Sequence, residues 1–503
     1  MCNWFCKLYC KFPWWFCLIL LFSGCGIYYT LFYHNNPPNP SPIVNLCNVD
    51  KSLQDEIAGY MPVVELIVEA TSNEGNFKGK LWKQLSYFVD KFGNRMTGTA
   101  NLENSINYMM SLLGSFGLDN IHGENVSAPH WVRGNESAFL ISPRYQKLNM
   151  LGLGYSVGTP EEGITADVLV VKSFDELHER GPEAQGKIVV IAEDWLGSYG
   201  ATVKYRSLAA IEVAKVGGVA ALIRSITPFS INTPHTGMMH YQDGVTKIPA
   251  AALTVEDTQM LLRMSQRGTP LKIQLKMEAK TLEDVVSRNT VVELQGTQYP
   301  EKVVLVSGHL DSWDVGQGAM DDGGGAFISW GALALLKSLG LRPKRTIRAV
   351  LWTAEEVGLI GAQAYAKAHQ NETHNFMVMM ESDEGTFTPR GLEYSGSDQG
   401  GCIIKEILKL MSPIKATEFK NSSDVGSDIT VWANQVPLLS NLNDNGKYFW
   451  FHHTDADTMS VMNSDDLDLN VALWAATAFV IADMSVDLPG VGFPQQNVTA
   501  PIA

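Results

Sequence analysis

From Asp50 to about Gly117, apolar residues recur every three and four positions, in LQDEIAGYMPVVELIVEA, LWKQLSYFVDKFG and LENSINYMMSLLGSFG. That spacing lines up one face of a helix, so this stretch predicts helices. The pattern then changes, and ESAFLIS and LNMLGLG read as short strands. Residues 155–279 hold brief apolar runs (ADVLVV, KIVVIAE, VAALIR, IPAAAL, LKIQLKM) around one helical stretch, VKYRSLAAIEVAKVGG, and predict a compact β-rich module. From about Val285 to Leu488 strand and helix alternate: NTVVELQG, EKVVLVSGH, AFISWGALALLKSLG, RTIRAVLWTA, VGLIGAQAYAKAH, FMVMMESD, CIIKEILKLM, VPLLS and DLDLNVALWAATAFVIADM. Strands that are apolar on both faces belong to a mainly parallel sheet covered by helices on both sides, so the expected class is α/β. The predicted segments are residues 1–40, 50–154, 155–279 and 280–490, with 155–279 inserted into a main domain formed by the two flanking segments.

The first segment follows another rule. Lys7 and Lys11 precede twenty uncharged residues, Trp14 to Tyr33, and the Pro-rich NNPPNPSP comes next. Twenty such residues suffice for a membrane-crossing helix. Ser23, Gly24, Cys25 and Gly26 equally suit cleavage of a signal peptide. Both readings stay open, and both place the rest of the chain outside the cytosol. In the anchored form Cys2, Cys6 and Cys10 lie on the cytosolic side, where acylation is an option. Contact with a membrane is expected only through this segment.

Composition narrows the partners. The formal net charge is −15 over 503 residues, without long Lys or Arg runs. Nucleic-acid binding needs a basic footprint and is not expected. Only Cys47 and Cys402 follow the first 25 residues, so stability must come from a large core and not from a disulfide scaffold. N-x-S/T sequons at Asn125, Asn135, Asn371, Asn421 and Asn497, together with a secretory start, predict a glycosylated ectodomain.

Candidate chemistry gathers where strands end. VVLVSGH ends at His309, IRAVLWTA leads to Glu355 and Glu356, FMVMMES leads to Asp383, and KYFWFHHTDADT carries His452 and His453. Ligands of open α/β sheets sit beyond the carboxyl ends of the strands. Histidines and carboxylates without cysteine suit a hydrolytic zinc site with an open position. Five ligands exceed one such zinc and fit two ions about 3.5–4 Å apart that share a carboxylate. Asp321 is the expected bridge, because Gly323, Gly324 and Gly325 let backbone approach closely. Glu355, beside a ligand glutamate, is the expected general base. Singly, each feature has an ordinary reading as a structural histidine, a helix start or an Asp-Gly turn; their recurrence at successive strand ends outweighs those readings. His235 and His240 are expected to pack or face solvent, with a substrate-side role open, Asp428 to cap the helix DITVWANQ, Met377, Met379 and Met380 to fill the core, and Tyr448 to be a buried aromatic, with oxyanion stabilisation the alternative.

GHLDSWDVGQGAMDDGGG, LWTAEEVGLIGA, ESDEGTF and FHHTDADT resemble the motifs of the co-catalytic di-zinc exopeptidases, the family of bacterial leucyl aminopeptidase and glutamate carboxypeptidase. The likeness spans most of the chain after about residue 50. Within it, GKIVVI, AAIEVAKVGGVAALI and IPAAALT make residues 155–279 resemble a protease-associated domain. The resemblance implies the zinc exopeptidase fold, with His309 and Asp383 on one zinc, Glu356 and His453 on the other, Asp321 between them and Glu355 as base. His453 is preferred to His452 because the family's ligand histidine directly precedes the Ser/Thr of an H-[ST]-x-x-D-T pattern. Asp311 is expected to orient His309 from behind. The implied reaction is hydrolysis of dipeptides or short peptides with free ends, by a hydroxide shared between two zinc ions in each subunit of a homodimer. An aminopeptidase on the same scaffold stays open, as does an inactive receptor-like ectodomain, although no ligand is missing. The implied location is secreted, lysosomal, or membrane-anchored with the catalytic domain outside the cytosol. TDADT after His453 and the cysteine-rich N-terminus are the departures from the family pattern.

Overall fold

A computed structural model describes residues 47–72, 74–423 and 425–491. The signal or anchor segment and Asn497 lie outside the described residues. Among the described residues no helix is long and apolar enough to cross a membrane. Cys47 and Cys402 are both disulfide-bonded.

The helical start takes shape as Lys51–Ala58, Met61–Thr71, Lys80–Phe92 and Ala100–Ser115. The last of these is capped by Thr99, whose side chain accepts from the Leu102 amide. A main sheet of eight strands follows, here labelled β1 (Asp119–Val132), β2 (Lys280–Leu294), β3 (Tyr299–His309), β4 (Arg345–Trp352), β5 (Phe376–Glu381), β6 (Pro389–Ser395), β7 (Glu418–Asn421) and β8 (Leu438–Asn443). Their spatial order is β1-β2-β4-β3-β5-β8-β6-β7.

The expected, mainly parallel sheet is in fact mixed. The central run β4-β3-β5-β8 is parallel, whereas β1–β2, β2–β4 and β6–β8 pair antiparallel. The cause lies in the chain path: β1 leads out to a second sheet and β2 returns from it, so the two run side by side in opposite directions. Alternate residues of β3 feed the two faces. Val304 and Val306 join the larger core with helices Gly324–Ser338 and Ser464–Asp483, while Val303 and Leu305 join the core that holds Trp352, Tyr365 and Trp432. Met377 and Met380 lie in the first core and Met379 in the second, as expected of strand residues.

The second sheet also has eight strands and is also mixed. Ile164–Val171, Ile188–Ile191, Ala220–Arg224 and Ala250–Leu253 run parallel at its centre. Glu136–Ser142, Gln146–Leu148 and Met150–Gly152, which the periodicity left with the N-terminal segment, join this sheet too. Helix Lys204–Lys215 covers one face and helix Val255–Gln266 the other.

Candidate active site

Three parallel strands of the main sheet deliver side chains to one edge. β3 ends at His309, paired in register with Trp352 of β4, and Ser307 pairs with Glu381 of β5. The chain leaves β4 through Ala354, in the left-handed region at φ 57°, and this turn presents Glu355 and Glu356. Asp383 follows β5 by two residues. His453 stands at φ 61° after the short helix Tyr448–Phe451.

Asp321 arrives on a turn between β3 and helix Gly324–Ser338. Asp322 ties that turn to the strand end by accepting from the His309 amide at 3.0 Å and the Gly325 amide at 2.9 Å. A Cβ on Gly325 would come within 1.8 Å of the Ser382 carbonyl oxygen, so only glycine permits this approach. Asp457 grips the same turn, with its carboxylate accepting from the amides of Ala319 (3.1 Å), Met320 (2.8 Å) and Asp321 (3.1 Å). Burial and the Asp321 charge push Asp457 up to about 7, against the pull of those amides and Arg95. Buried Arg95 donates to the carbonyls of Leu310, Gln317 and Gly318 and fixes the loop between strand and turn.

The candidate residues converge. His309 Nε2 lies 3.3 Å from Asp321 Oδ1, 3.2 Å from Asp383 Oδ1 and 3.8 Å from Glu355 Oε2. His453 Nε2 lies 3.3 Å from Asp321 Oδ2 and 3.0 Å from Glu356 Oε2. Asp321 therefore turns one oxygen to each histidine. His452, stacked on His453 at 3.5 Å between ring centroids, stands slightly farther from Asp321 at 3.7 Å. His309 Nδ1 donates to the Asp311 carbonyl oxygen at 3.0 Å, so Nε2 is the ring nitrogen that faces the acids. The Asp311 carboxylate has another task. It accepts from the amides of Glu355 (3.1 Å) and Glu356 (3.3 Å) and holds that turn in place.

Several of these atoms suit a cation. His309 Nε2, Asp321 Oδ2, Glu356 Oε1 and Asp383 Oδ1 are buried and make no hydrogen bond, which is costly unless something else binds them. Among the described residues two groups could hold a metal ion: His309, Asp321 and Asp383, and Asp321, His452 and His453. Electrostatics agree. Burial, with Asp321 nearby, raises Glu356 well above the usual carboxylate range, and burial raises Asp383 likewise despite His309. Burial and His452 press His453 far below its ordinary value, so its imidazole is neutral and able to ligate. A divalent cation would relieve the crowding of acids. The donor set, imidazole and carboxylate without thiolate, fits catalytic zinc.

Glu355 faces the same space. Its Oε1 accepts from the Ser427 hydroxyl at 2.6 Å, and burial raises its carboxyl despite His309 and Ser427. Asp428, in contrast, caps nothing. It begins the turn Asp428–Trp432 without a side-chain cap bond, and both its carboxylate oxygens are buried and unpartnered. Glu381 of β5 does the capping, accepting from the Ser427 amide at 2.6 Å and the Ile429 amide at 3.1 Å. With those amides taken by a neighbouring strand, Asp428 turns inward, and burial beside Glu381 holds it well above its ordinary value.

The site opens into a cavity of about 560 Å³. Tyr199, Arg206, Met238 and His240 line it from the second-sheet side, and Glu384, Lys420 and Tyr448 from the main-sheet side. Arg206 is only 7% exposed, donates through Nε to the Met238 carbonyl and lies over the Tyr199 ring, yet forms no ion pair among the described residues. Lys420 pairs with Glu393. His240 is half-buried on the wall, and His235 is buried with neither ring nitrogen partnered. No motif in the sequence marks Arg206, Ser427 or Arg95, whereas Asp457 is the aspartate of the H-[ST]-x-x-D-T pattern that begins at His453. Each acts across tens or hundreds of positions, and a lone charge on a helix reads as solvated.

An α/β fold with a histidine–carboxylate cluster at the strand ends defines a metallohydrolase. Comparison with known proteins makes this specific. Residues 289–478 match the model of Peptidase family M28. Carboxypeptidase Q of Bos taurus is 51% identical over 440 residues, covering 87% of this chain and 93% of that protein. The solved Peptidase M28 precursor of Shewanella amazonensis is 31% identical with a TM-score of 0.83, over 87% of this chain and all of that one. A zinc aminopeptidase from Bacillus subtilis shares the fold, with 18% identity and a TM-score of 0.61 over 82% of this chain and 99% of its own. The chain belongs to peptidase family M28 and is a zinc-dependent exopeptidase.

Proposed function

We propose that this exopeptidase is a carboxypeptidase of dipeptides and other short peptides with free ends, working through two zinc positions. The observation that supports it most is Asp321, with one oxygen toward the His309–Asp383 pair and the other toward the Glu356–His453 pair. In this reading His309 and Asp383 would hold one ion and Glu356 and His453 the other, with Asp321 available to both. Bound there, zinc acidifies a water and polarises the scissile carbonyl. Glu355, steered by Ser427, takes the proton of the attacking water and returns it to the leaving amine. Asp311 keeps Glu355 and Glu356 in place through their amides.

Polarity follows from the cavity wall. Arg206 is a near-buried guanidinium without an anionic partner among the described residues, and a substrate carboxylate would satisfy it. That favours release of a residue with a free carboxyl end. The rival aminopeptidase reading draws on Glu384, an acid in the same cavity that would suit a free amine. We further place the enzyme in the secretory pathway, secreted or lysosomal, as a homodimer. Disulfide-bonded Cys47 and Cys402, and the exposure of Asn125, Asn135, Asn371 and Asn421, support this location.

A panel of dipeptides tests the proposal, each offered with free ends, N-acetylated or C-amidated, before and after chelation and zinc repletion. Peptides with both ends free are expected to be the best substrates, and C-amidation is expected to cost far more than N-acetylation. The reverse preference would make it an aminopeptidase, and silence after repletion would favour the inactive-ectodomain reading.

A further inference from the structure

The two candidate ligand histidines are oriented by different parts of the chain. His309 finds the acceptor for its Nδ1 two residues away, in its own loop. His453 finds its acceptor in the second-sheet segment, where its Nδ1 lies 3.3 Å from the Thr236 carbonyl oxygen. A carbonyl can only accept, so Nδ1 carries the proton and Nε2 keeps the lone pair that faces Asp321 and Glu356. The same two residues are joined again through the main chain, where the Thr236 amide donates to the His453 carbonyl at 3.0 Å. Two bonds in opposite directions make a clasp that fixes both the backbone and the ring of His453.

Thr236 is itself anchored. It is 1% exposed, and its hydroxyl donates to the Gly152 carbonyl at 2.7 Å and accepts from Arg133 Nη2 at 3.2 Å. Arg133 in turn binds Asp314 twice, at 2.8 and 2.6 Å, and also donates to the Gly152 carbonyl. Asp314 lies five residues past His309, on the loop that leaves β3. Main-chain bonds between Gly154 and the stretch 237–239 keep the segment straight beside the site, with the Gly154 amide donating to Gly237 at 2.9 Å and the Met239 amide to Gly154 at 3.1 Å. A chain of hydrogen bonds thus runs from the β3 loop through Asp314, Arg133 and Thr236 to His453.

We propose that Thr236 is a positioning residue for zinc, which fixes the tautomer and aim of His453 and thereby sets the affinity of the Glu356–His453 position alone. The proposal rests on His453 being a ligand. It gives the second sheet a part in building the metal centre, beyond forming the cavity wall. Partners that orient ligand histidines typically change metal affinity by about 10–100-fold.

Thr236→Val keeps the side-chain volume and removes both hydroxyl bonds, while Thr236→Ser keeps the hydroxyl. Zinc-free full chain is titrated with zinc against a chromophoric chelator, and its circular dichroism and thermal midpoint are recorded beside the titration. The expected result for T236V is one zinc position weakened by about 10–100-fold and the other unchanged, with T236S close to wild type. Wild-type affinity at both positions of T236V, or an equal loss at both, overturns the proposal. A wild-type chain that binds no zinc would instead overturn the metal-site reading beneath it. Should T236V not fold, 15N-histidine spectra of the zinc-free wild type read the tautomer directly, and an Nε2–H His453 overturns the proposal.

Discussion

Replacing Glu193 by Gln should change how the stability of the fold responds to pH. Glu193 follows the second-sheet strand Ile188–Ile191, is 1% exposed, and neither carboxylate oxygen has a well-formed hydrogen bond. Burial raises its carboxyl to about 8, and its own amide and the Arg224 guanidinium offset this only in part. Arg224 Nη1 donates to the Ser225 carbonyl at 3.2 Å, and among the described residues Arg224 forms no ion pair with Glu193. A carboxyl whose folded value is raised binds its proton more tightly when folded. The resulting stabilisation is complete below the unfolded value of 4.5 and is lost as pH rises through about 8. At about 1.4 kcal/mol per unit, taking wild type from pH 5 to pH 8 removes roughly 3 kcal/mol through this group. Gln has the same shape and no proton to lose, so E193Q should lack that component and be the more stable protein at pH 8. Urea denaturation of both proteins at the two pH values measures the difference in slope. Parallel pH dependences for wild type and E193Q would refute the reasoning, because they would mean that Glu193 is solvated or paired in solution.

Glu355→Gln should keep zinc and lower kcat by about 10²–10⁴-fold, read by metal analysis beside a peptide assay. Asp321→Ala should lower occupancy at both zinc positions together; loss of one ion alone would show that the carboxylate is not shared. Zinc at a hundred times its Kd should add about 2.7 kcal/mol per occupied position to the stability of the metal-free chain, seen as a concentration-dependent Tm. Gly154→Ala would place a Cβ 2.1 Å from the Trp313 ring, which packs on His453 at 5.6 Å between centroids. It should cost about 1–3 kcal/mol and weaken turnover, and an unchanged thermal midpoint would show that the indole moves aside freely.

Chemistry was legible where a short motif coincides with a strand end. His309, Glu355, Glu356 and Asp383 each stand three or four residues past an apolar run (VVLV, AVLW or FMVMM), and parallel pairing in register carries them to a common edge. The four helices before β1 were legible for a similar reason, since a 3.6-residue period needs only local sequence. β1 was not. DNIHGENVSAPHWV is a strand with only three of its residues buried, held by antiparallel pairing with β2 rather than by any apolar run of its own. The mixed character of the main sheet escaped for the same reason, because it depends on the path to and from the second sheet.

Asp428 and Asp457 show where local reasoning ends. Both are aspartates beside short turns, and a capping rule treats them alike. Asp428 cannot cap because Glu381, from a strand dozens of residues earlier, already accepts from the Ser427 and Ile429 amides. Asp457 holds three amides of a turn more than a hundred residues before it. Which carboxylate meets which amide is decided by the order of strands in the sheet, and not by neighbours in sequence. Candidate zinc ligands can be picked out from motifs because their chemistry restricts residue type. The groups that aim them, the Asp311 and Thr236 carbonyls among them, are backbone atoms that every residue carries. Only the fold selects them, so the geometry of the candidate metal centre is a property of topology even though its candidate ligands can be read from the sequence.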